Sequence, residues 1–267
     1  MYNEAEDFLH HKGEVDALFA ALRAQRVPLA SDMVVLDLGA GLGMHAGFLS
    51  VLVGRVYCAD LVNYTSVYEG QLPKLLNEKH QRNGYPFEIS KIEFNQTNAM
   101  DLLYRDSLFD LVISINSFEH IPDPRLALRE MARVTKDGGY IYVSTDPIWT
   151  ADTGSHFFHR VPEPWAHLIH SNDEFCGHML TNGATAAEID EYLVAMNRLR
   201  AVDYFKVVDE ITASGTLATV HADSWSGVQE ESHRQHDNVA ILNDRGYPQE
   251  ELLVRGLRWV FRKQPAL

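Results

Sequence analysis

Seven residues, Asp37-Leu38-Gly39-Ala40-Gly41-Leu42-Gly43, place a carboxylate just ahead of three glycines spaced as GxGxG. Glycine accepts positive φ and puts no Cβ between the backbone and a ligand, so this spacing suits close approach to a bound molecule. A second carboxylate, Asp60, ends the next apolar run, and one carboxylate can accept from both hydroxyls of a ribose. A dinucleotide fingerprint needs its third glycine where Met44 stands, and no Lys-Ser or Lys-Thr follows to form a phosphate loop. The spacing therefore disfavours a nucleotide phosphate, and with it an oxidoreductase.

The elements that must position these groups follow from hydrophobic period. Residues 15–25 carry apolar side chains at helical spacing, while 33–38 is a short buried run that reaches Asp37 just ahead of the glycines and 55–60 one that ends in Asp60. Residues 45–53 read as the helix between them. The alternation continues with a polar helix over 65–82, strands at 91–94, 109–115 and 139–145, and a helix over 124–135. Such alternation predicts a doubly wound α/β fold with a seven-stranded, mostly parallel sheet, whose ligands bind beyond the carboxyl ends of the strands. Regularity stops at Asp146. Residues 146–202 read as an insertion with one helix, started by Thr185 and Glu188 and carrying Ile189, Leu193 and Met196 on one stripe. Two closing strands are expected at 204–212 and 256–263, and 230–238 as a solvated loop whose His233 and His236 receive no role. A single domain over 1–267 accounts for the chain, with 1–30 as a helical cap.

Taken in order, VVLDLGAGLG, VYCADL, NQTNAMDL, FDLVISINSFEHIPDP and RVTKDGGYIYVSTDP strongly resemble the class I methyltransferases, in particular the methyltransferase type 11 group, over roughly 33–146. The resemblance implies S-adenosyl-L-methionine as cofactor. It implies that Asp37 organises the glycine turn and the methionine amino group, that Gly39 and Gly41 contact the cofactor, and that Asp60, followed by Leu61, holds the ribose. Asn98 stands where the group commonly has Asp against the adenine amine, with Ala99 and Met100 beside the ring, and Asn116 lines the methionine end.

Methyl transfer from a sulfonium is an in-line displacement in which positioning supplies much of the rate; a hydroxyl acceptor also gains from a general base, and histidine suits neutral pH. The insertion concentrates His156, His159, His167 and His170 with Trp149 and Trp165. Aromatics with polar groups between them suit a sugar-like polyol, so Trp149, His159 and Trp165 are expected to bind the acceptor. DPIWTADTGSH is also similar to a stretch in type 11 enzymes encoded among polysaccharide genes, which favours a carbohydrate or other hydroxyl acceptor. His156, after the Gly154-Ser155 turn, is the first choice for the base and His120 the second. A divalent ion held by His156 and His159 with Asp146 or Asp152 is not favoured, because His-x-x-His on an irregular segment equally describes exposed polar residues. The competing readings are a small-molecule N- or C-methyltransferase and a non-catalytic protein that binds the same cofactor.

The bulk properties agree. In 267 residues, 46% hydrophobic and 22% charged, the chain has an ordinary globular composition. A formal charge of −14 disfavours nucleic acid and anionic membranes and points to a small-molecule partner. Cys58 and Cys176 form no CxxC pair, the N-terminal stretch lacks a secretory pattern, and no apolar run reaches membrane length, so a cytoplasmic protein is expected. Oligomeric state is left open, a homodimer included.

Overall fold

The computed structural model describes residues 3–227 and 230–265. Its strands are β1 (Val34–Leu38), β2 (Arg55–Asp60), β3 (Ile92–Gln96), β4 (Phe109–Ile115), β5 (Thr135–Thr145), β6 (Leu217–Trp225) and β7 (Gly256–Lys263). They form one sheet in the order β3-β2-β1-β4-β5-β7-β6. All pairs through β5 are parallel, whereas β7 runs antiparallel to both β5 and β6. This is the doubly wound α/β architecture expected from the sequence, closed by an antiparallel hairpin.

Helices α1 (Glu4–Ala24), α2 (Met44–Ser50), α3 (Tyr64–Val67), α4 (Leu72–Arg82) and α5 (Pro124–Val134) accompany the parallel strands. The polar stretch 65–82 is thus two helices, broken at Glu69-Gly70, which both take positive φ. The period-2 pleat sorts the strands' side chains. Leu36, Leu38, Val112 and Val143 face α5 and α9 (Ala201–Ala213), while Val35, Val56, Leu111 and Ile113 face α1 and α2.

Residues 204–212 are not a strand but the body of α9. Its buried residues Tyr204, Val207, Val208 and Ile211 fall at i, i+3, i+4 and i+7, so one apolar stripe faces the sheet. The strand that replaces it, β6, is the edge strand, and only Leu217 in it is buried. Helix α9 makes the crossover, which is why the sheet still has seven strands.

The insertion holds three helices, α6 (Ala166–Ile169), α7 (Asn172–Thr181) and α8 (Ala186–Val194), not one. Both α7 and α8 begin with reciprocal capping boxes, Ser171 with Glu174 and Thr185 with Glu188. Residues 230–238 also differ from the expected loop. They include α10 (Glu230–Arg234) and the start of α11 (Asp237–Asp244), followed by α12 (Gln249–Leu252). His233 is buried and ion-paired with Asp152, fastening this segment to the insertion. Among the described residues no helix is long and apolar enough to cross a membrane.

Candidate active site

The turn after β1 is built by three glycines with φ of 73°, 53° and 81° at Gly39, Gly41 and Gly43. Gly39 is required sterically as well: a Cβ there would lie 2.3 Å from Ser117 Oγ, which itself donates to the Gly39 carbonyl. Apart from its chain neighbours, no atom of the described residues lies within 4 Å of where a Gly41 Cβ would be, so that face of the turn is open. Asp60 accepts from the Gly41 and Val62 amides at 2.9 Å, one through each oxygen, tying the glycine turn to the tip of β2. Each oxygen keeps a further lone pair for a ligand hydroxyl.

Asp37 is the most telling group. Its carboxylate is buried and neither oxygen has a hydrogen-bond partner among the described residues. Burial pushes its pKa up to about 6, with His45 opposing and Asp60 and Glu14 adding to the rise. A buried carboxylate left in this state is costly unless a ligand supplies donors.

Two cavities lie at this end of the sheet. The first, ≈ 210 Å³, is lined by Gly41, Cys58, Asp60, Asn63, Phe94 and Gln96 among others. Asn98, Ala99 and Met100 do not line it, and the Asn98 side-chain oxygen instead accepts from the Met100 amide at 2.9 Å. Leu61 projects into solvent, and its carbonyl accepts from Gln96 Nε2 at 3.0 Å. Asn63, Phe94 and Gln96 are walls that sequence reasoning missed; only their position near the tips of β2 and β3 hinted at them.

The second cavity, ≈ 290 Å³, lies at the tips of β4 and β5 and is walled by His10, Glu14, Asn116, Tyr142, Ser144, Asp146, Pro147, Trp225, Arg255 and Arg258. Asp146 accepts from Arg255 Nε at 2.9 Å and from Trp225 Nε1 at 2.8 Å, so one carboxylate sets two walls. Arg258 is held by Asp223. Glu14 gathers four partners: His10, His11, His45 and the Asn116 side-chain amide. Although burial opposes it, the three imidazoles hold Glu14 well below the usual carboxylate range. Its bond to His10, at 3.2 Å, in turn raises the His10 pKa. Asn116 sits at φ 48°, its amide donating to the Ser144 carbonyl at 2.9 Å.

The histidines and tryptophans expected to serve the acceptor are placed otherwise. Neither His156 nor His120 lines the two cavities. Their rings pack edge to face at 5.1 Å, and burial, with His120 nearby, lowers the His156 pKa to about 4. Trp165 has no exposed surface: Nε1 donates to the Thr150 carbonyl at 3.1 Å and the ring packs with Val239, Leu242 and Leu252. Trp149 is buried as well, with His167 edge to face against its ring and the Arg198 guanidinium over it. Both anchor the insertion and are not an acceptor platform. His159 is exposed and shares Glu188 with Arg160. Asp146, Asp152 and His159 have separate partners, so no ion site forms from His156 and His159 with either aspartate. Replacing Trp165 by Ala should cost about 3–5 kcal/mol of stability, read as a lowered midpoint in urea; a loss below about 1 kcal/mol would remove its role as an anchor.

The parallel sheet closed by an antiparallel β7, with a glycine turn after β1 and an acid at the tip of β2, defines a class I methyltransferase fold. Residues 36–143 match the family model of the methyltransferase type 11 group, described as methyltransferase domain. A sarcosine/dimethylglycine N-methyltransferase of Halorhodospira halochloris is 36% identical over 46% of this chain and 41% of its own. A 27-O-demethylrifamycin SV methyltransferase of Amycolatopsis mediterranei is 31% identical over 43% and 39%. The chain thus spans about two fifths of the length of these curated relatives. The solved YcgJ protein of Bacillus subtilis superposes with a TM-score of 0.52 at 17% identity, covering 92% of this chain and 98% of that one, a likeness of fold.

S-adenosyl-L-methionine is the cofactor of this class. The residues present fit it: an orphaned buried carboxylate at Asp37, an open glycine face at Gly41, and Asp60 with lone pairs to spare beside a cavity.

Proposed function

We propose that the protein transfers a methyl group from S-adenosyl-L-methionine to a hydroxyl of a small polar acceptor, a sugar among the candidates, held in the ≈ 290 Å³ cavity. The observation that carries this reading is the continuity of that cavity with Asn116 and the tips of β4 and β5, on the sheet edge that carries the glycine turn. In this reading 1–267 is one methyltransferase domain with 1–30 as a helical cap and 146–202 as an insertion. Cys58 and Cys176, both free thiols, suit a reducing cytoplasm.

The cofactor supplies an electrophilic methyl on a sulfonium. Asp37 pairs with its ammonium, Asp60 receives the ribose hydroxyls, and Asn63, Phe94 and Gln96 wall the nucleoside side. On the acceptor side, Trp225 and Tyr142 offer apolar faces, while Ser144 and the guanidinium groups offer hydrogen bonds. His10, oriented by Glu14, is the imidazole on the cavity wall and takes the proton-accepting part that the sequence suggests for His156. A cavity of this size holds a small molecule, and orienting it against the methyl group is the main contribution.

Because Asp37 titrates near 6, its protonated form dominates below that pH and cannot pair with an ammonium. Cofactor affinity should therefore be about tenfold weaker at pH 5 than at pH 7.5 by calorimetry. A flat profile would show that Asp37 does not meet the ammonium. The function itself is tested by following labelled methyl from the cofactor to a panel of sugars, phenols and amines. Transfer to hydroxyl acceptors supports the reading. Transfer confined to amines would favour N-methylation, for which Glu14 and Asp146 on the cavity wall offer counter-charges and which the N-methyltransferase relative performs by name.

A further inference from the structure

The geometry points to a zinc-type divalent cation site formed by Glu119, His120 and His156, beside the acceptor cavity. One ligand atom from each of the three lies within 4.8 Å of the others. They come from separate pieces of chain: Glu119 and His120 from the helical turn Phe118–His120 after β4, and His156 from the loop after β5.

What separates this cluster from a chance meeting of polar groups is where each imidazole spends its proton. His120 Nδ1 lies 3.0 Å from the Ala195 carbonyl and His156 Nε2 lies 3.3 Å from the Pro147 carbonyl. A carbonyl only accepts, so those nitrogens carry the hydrogens, and His120 Nε2 and His156 Nδ1 are left with lone pairs. A backbone carbonyl on the second ring nitrogen is the usual way a metal-binding histidine is oriented. Glu119 is similarly held, accepting from Thr145 Oγ1 at 2.6 Å. His156 also adopts φ 64°, a left-handed backbone that a non-glycine residue takes only where its surroundings impose it.

The other His/Glu cluster behaves differently. In His11, Glu14 and His45 the ring nitrogens lie 2.9 and 2.8 Å from the same carboxylate oxygen, so the imidazole protons are already spent on Glu14. That is an ion-pair cluster with its donors and acceptor matched. No such bond links Glu119, His120 and His156 to one another among the described residues.

Two imidazoles and one carboxylate are the donor set of open, four-coordinate zinc sites, with the last position left to water. Zinc bonds of about 2.0–2.2 Å require the side chains to draw together by roughly an ångström. His120 is solvent-exposed and gives the ion a way in. Because His156 leans on Pro147, a wall of the second cavity, and His120 on Ala195 at the end of α8, the ion would clamp the insertion to the sheet edge.

The test is titration of the whole chain with Zn²⁺ alone, stripped beforehand with a chelator, by calorimetry, together with Co²⁺ substitution followed by visible absorption. One strong site per chain is expected, with the intense bands of tetrahedral cobalt. His120→Gln and His156→Gln should each weaken it at least about 10–100-fold, a loss that removing even an outer partner causes, while His11→Gln retains it. The melting temperature should rise with Zn²⁺ in the parent chain and not in the two variants. His120→Gln, an exposed substitution, keeps the test valid if His156→Gln fails to fold. Absence of binding at micromolar Zn²⁺, or binding unchanged in His120→Gln, would overturn the site irrespective of methyl transfer.

Discussion

Asp60→Ala should weaken S-adenosyl-L-methionine binding by about 10²–10⁴-fold in calorimetry. A hydrogen bond to a charged group contributes roughly 1.5–3 kcal/mol, and two ribose hydroxyls would be lost together, about 3–6 kcal/mol. The same substitution removes the acceptor that Gly41 and Val62 share, so the glycine turn loses its tie to the tip of β2. Asp60→Asn distinguishes the two contributions, since its single side-chain oxygen can keep one of these bonds. It should fall between the parent and the alanine variant. An alanine variant within threefold of the parent would mean that the ribose lies elsewhere.

The second large effect belongs to His10. His10→Ala should lower the rate of methyl transfer to a hydroxyl by about 10²–10⁴-fold while leaving cofactor affinity nearly unchanged. The proton acceptor must be neutral, and the bond to Glu14 raises the His10 pKa above its ordinary 6.5. The parent rate should therefore climb with pH through a value above 6.5 and level off, a limb that the variant lacks. A variant as fast as the parent, with the same pH profile, would show that the acceptor needs no base from this residue and would fit an amine nucleophile.

The parallel half of the fold is legible because β1 and β4 are nearly all buried and largely apolar, and β2 is apolar between Arg55 and Asp60. The stretch 204–212 is misread for a physical reason. A short apolar run passes easily for a strand, yet Tyr204, Val207, Val208 and Ile211 already keep helical spacing within it, and Ala201 extends the stripe by one turn. Strand β6 is hard to see because an exposed edge needs no apolar alternation. Ser171 and Glu174 announced α7 in the same way that Thr185 and Glu188 announced α8.

The candidate site divides similarly. Asp37, the glycines and Asp60 are neighbours along one strand-turn-helix-strand unit, so local spacing reveals them. His10, Glu14, Trp225, Arg255 and Arg258 come together only through the tertiary fold, from the first helix and from one end of the closing hairpin, where Trp225 pairs with Gly256. No local pattern ties them. The dense histidines and tryptophans of the insertion drew attention instead, and burial reassigns Trp149 and Trp165 to packing.

The closing hairpin has a further consequence. Thr145 pairs with Leu257 and Trp225 with Gly256, so the excursions after β5 and after β6 both depart from one end of the sheet, at the second cavity. The glycine turn and Asp60 depart from that end too, but across the opposite half. In the proposed reading, donor and acceptor recognition are thereby written on separate stretches of chain, with Asn116 and the β5 tip between them. Such a layout is modular: descendants of one ancestor can exchange either excursion, and with it the molecule being modified, while the means of delivering the methyl group is inherited intact.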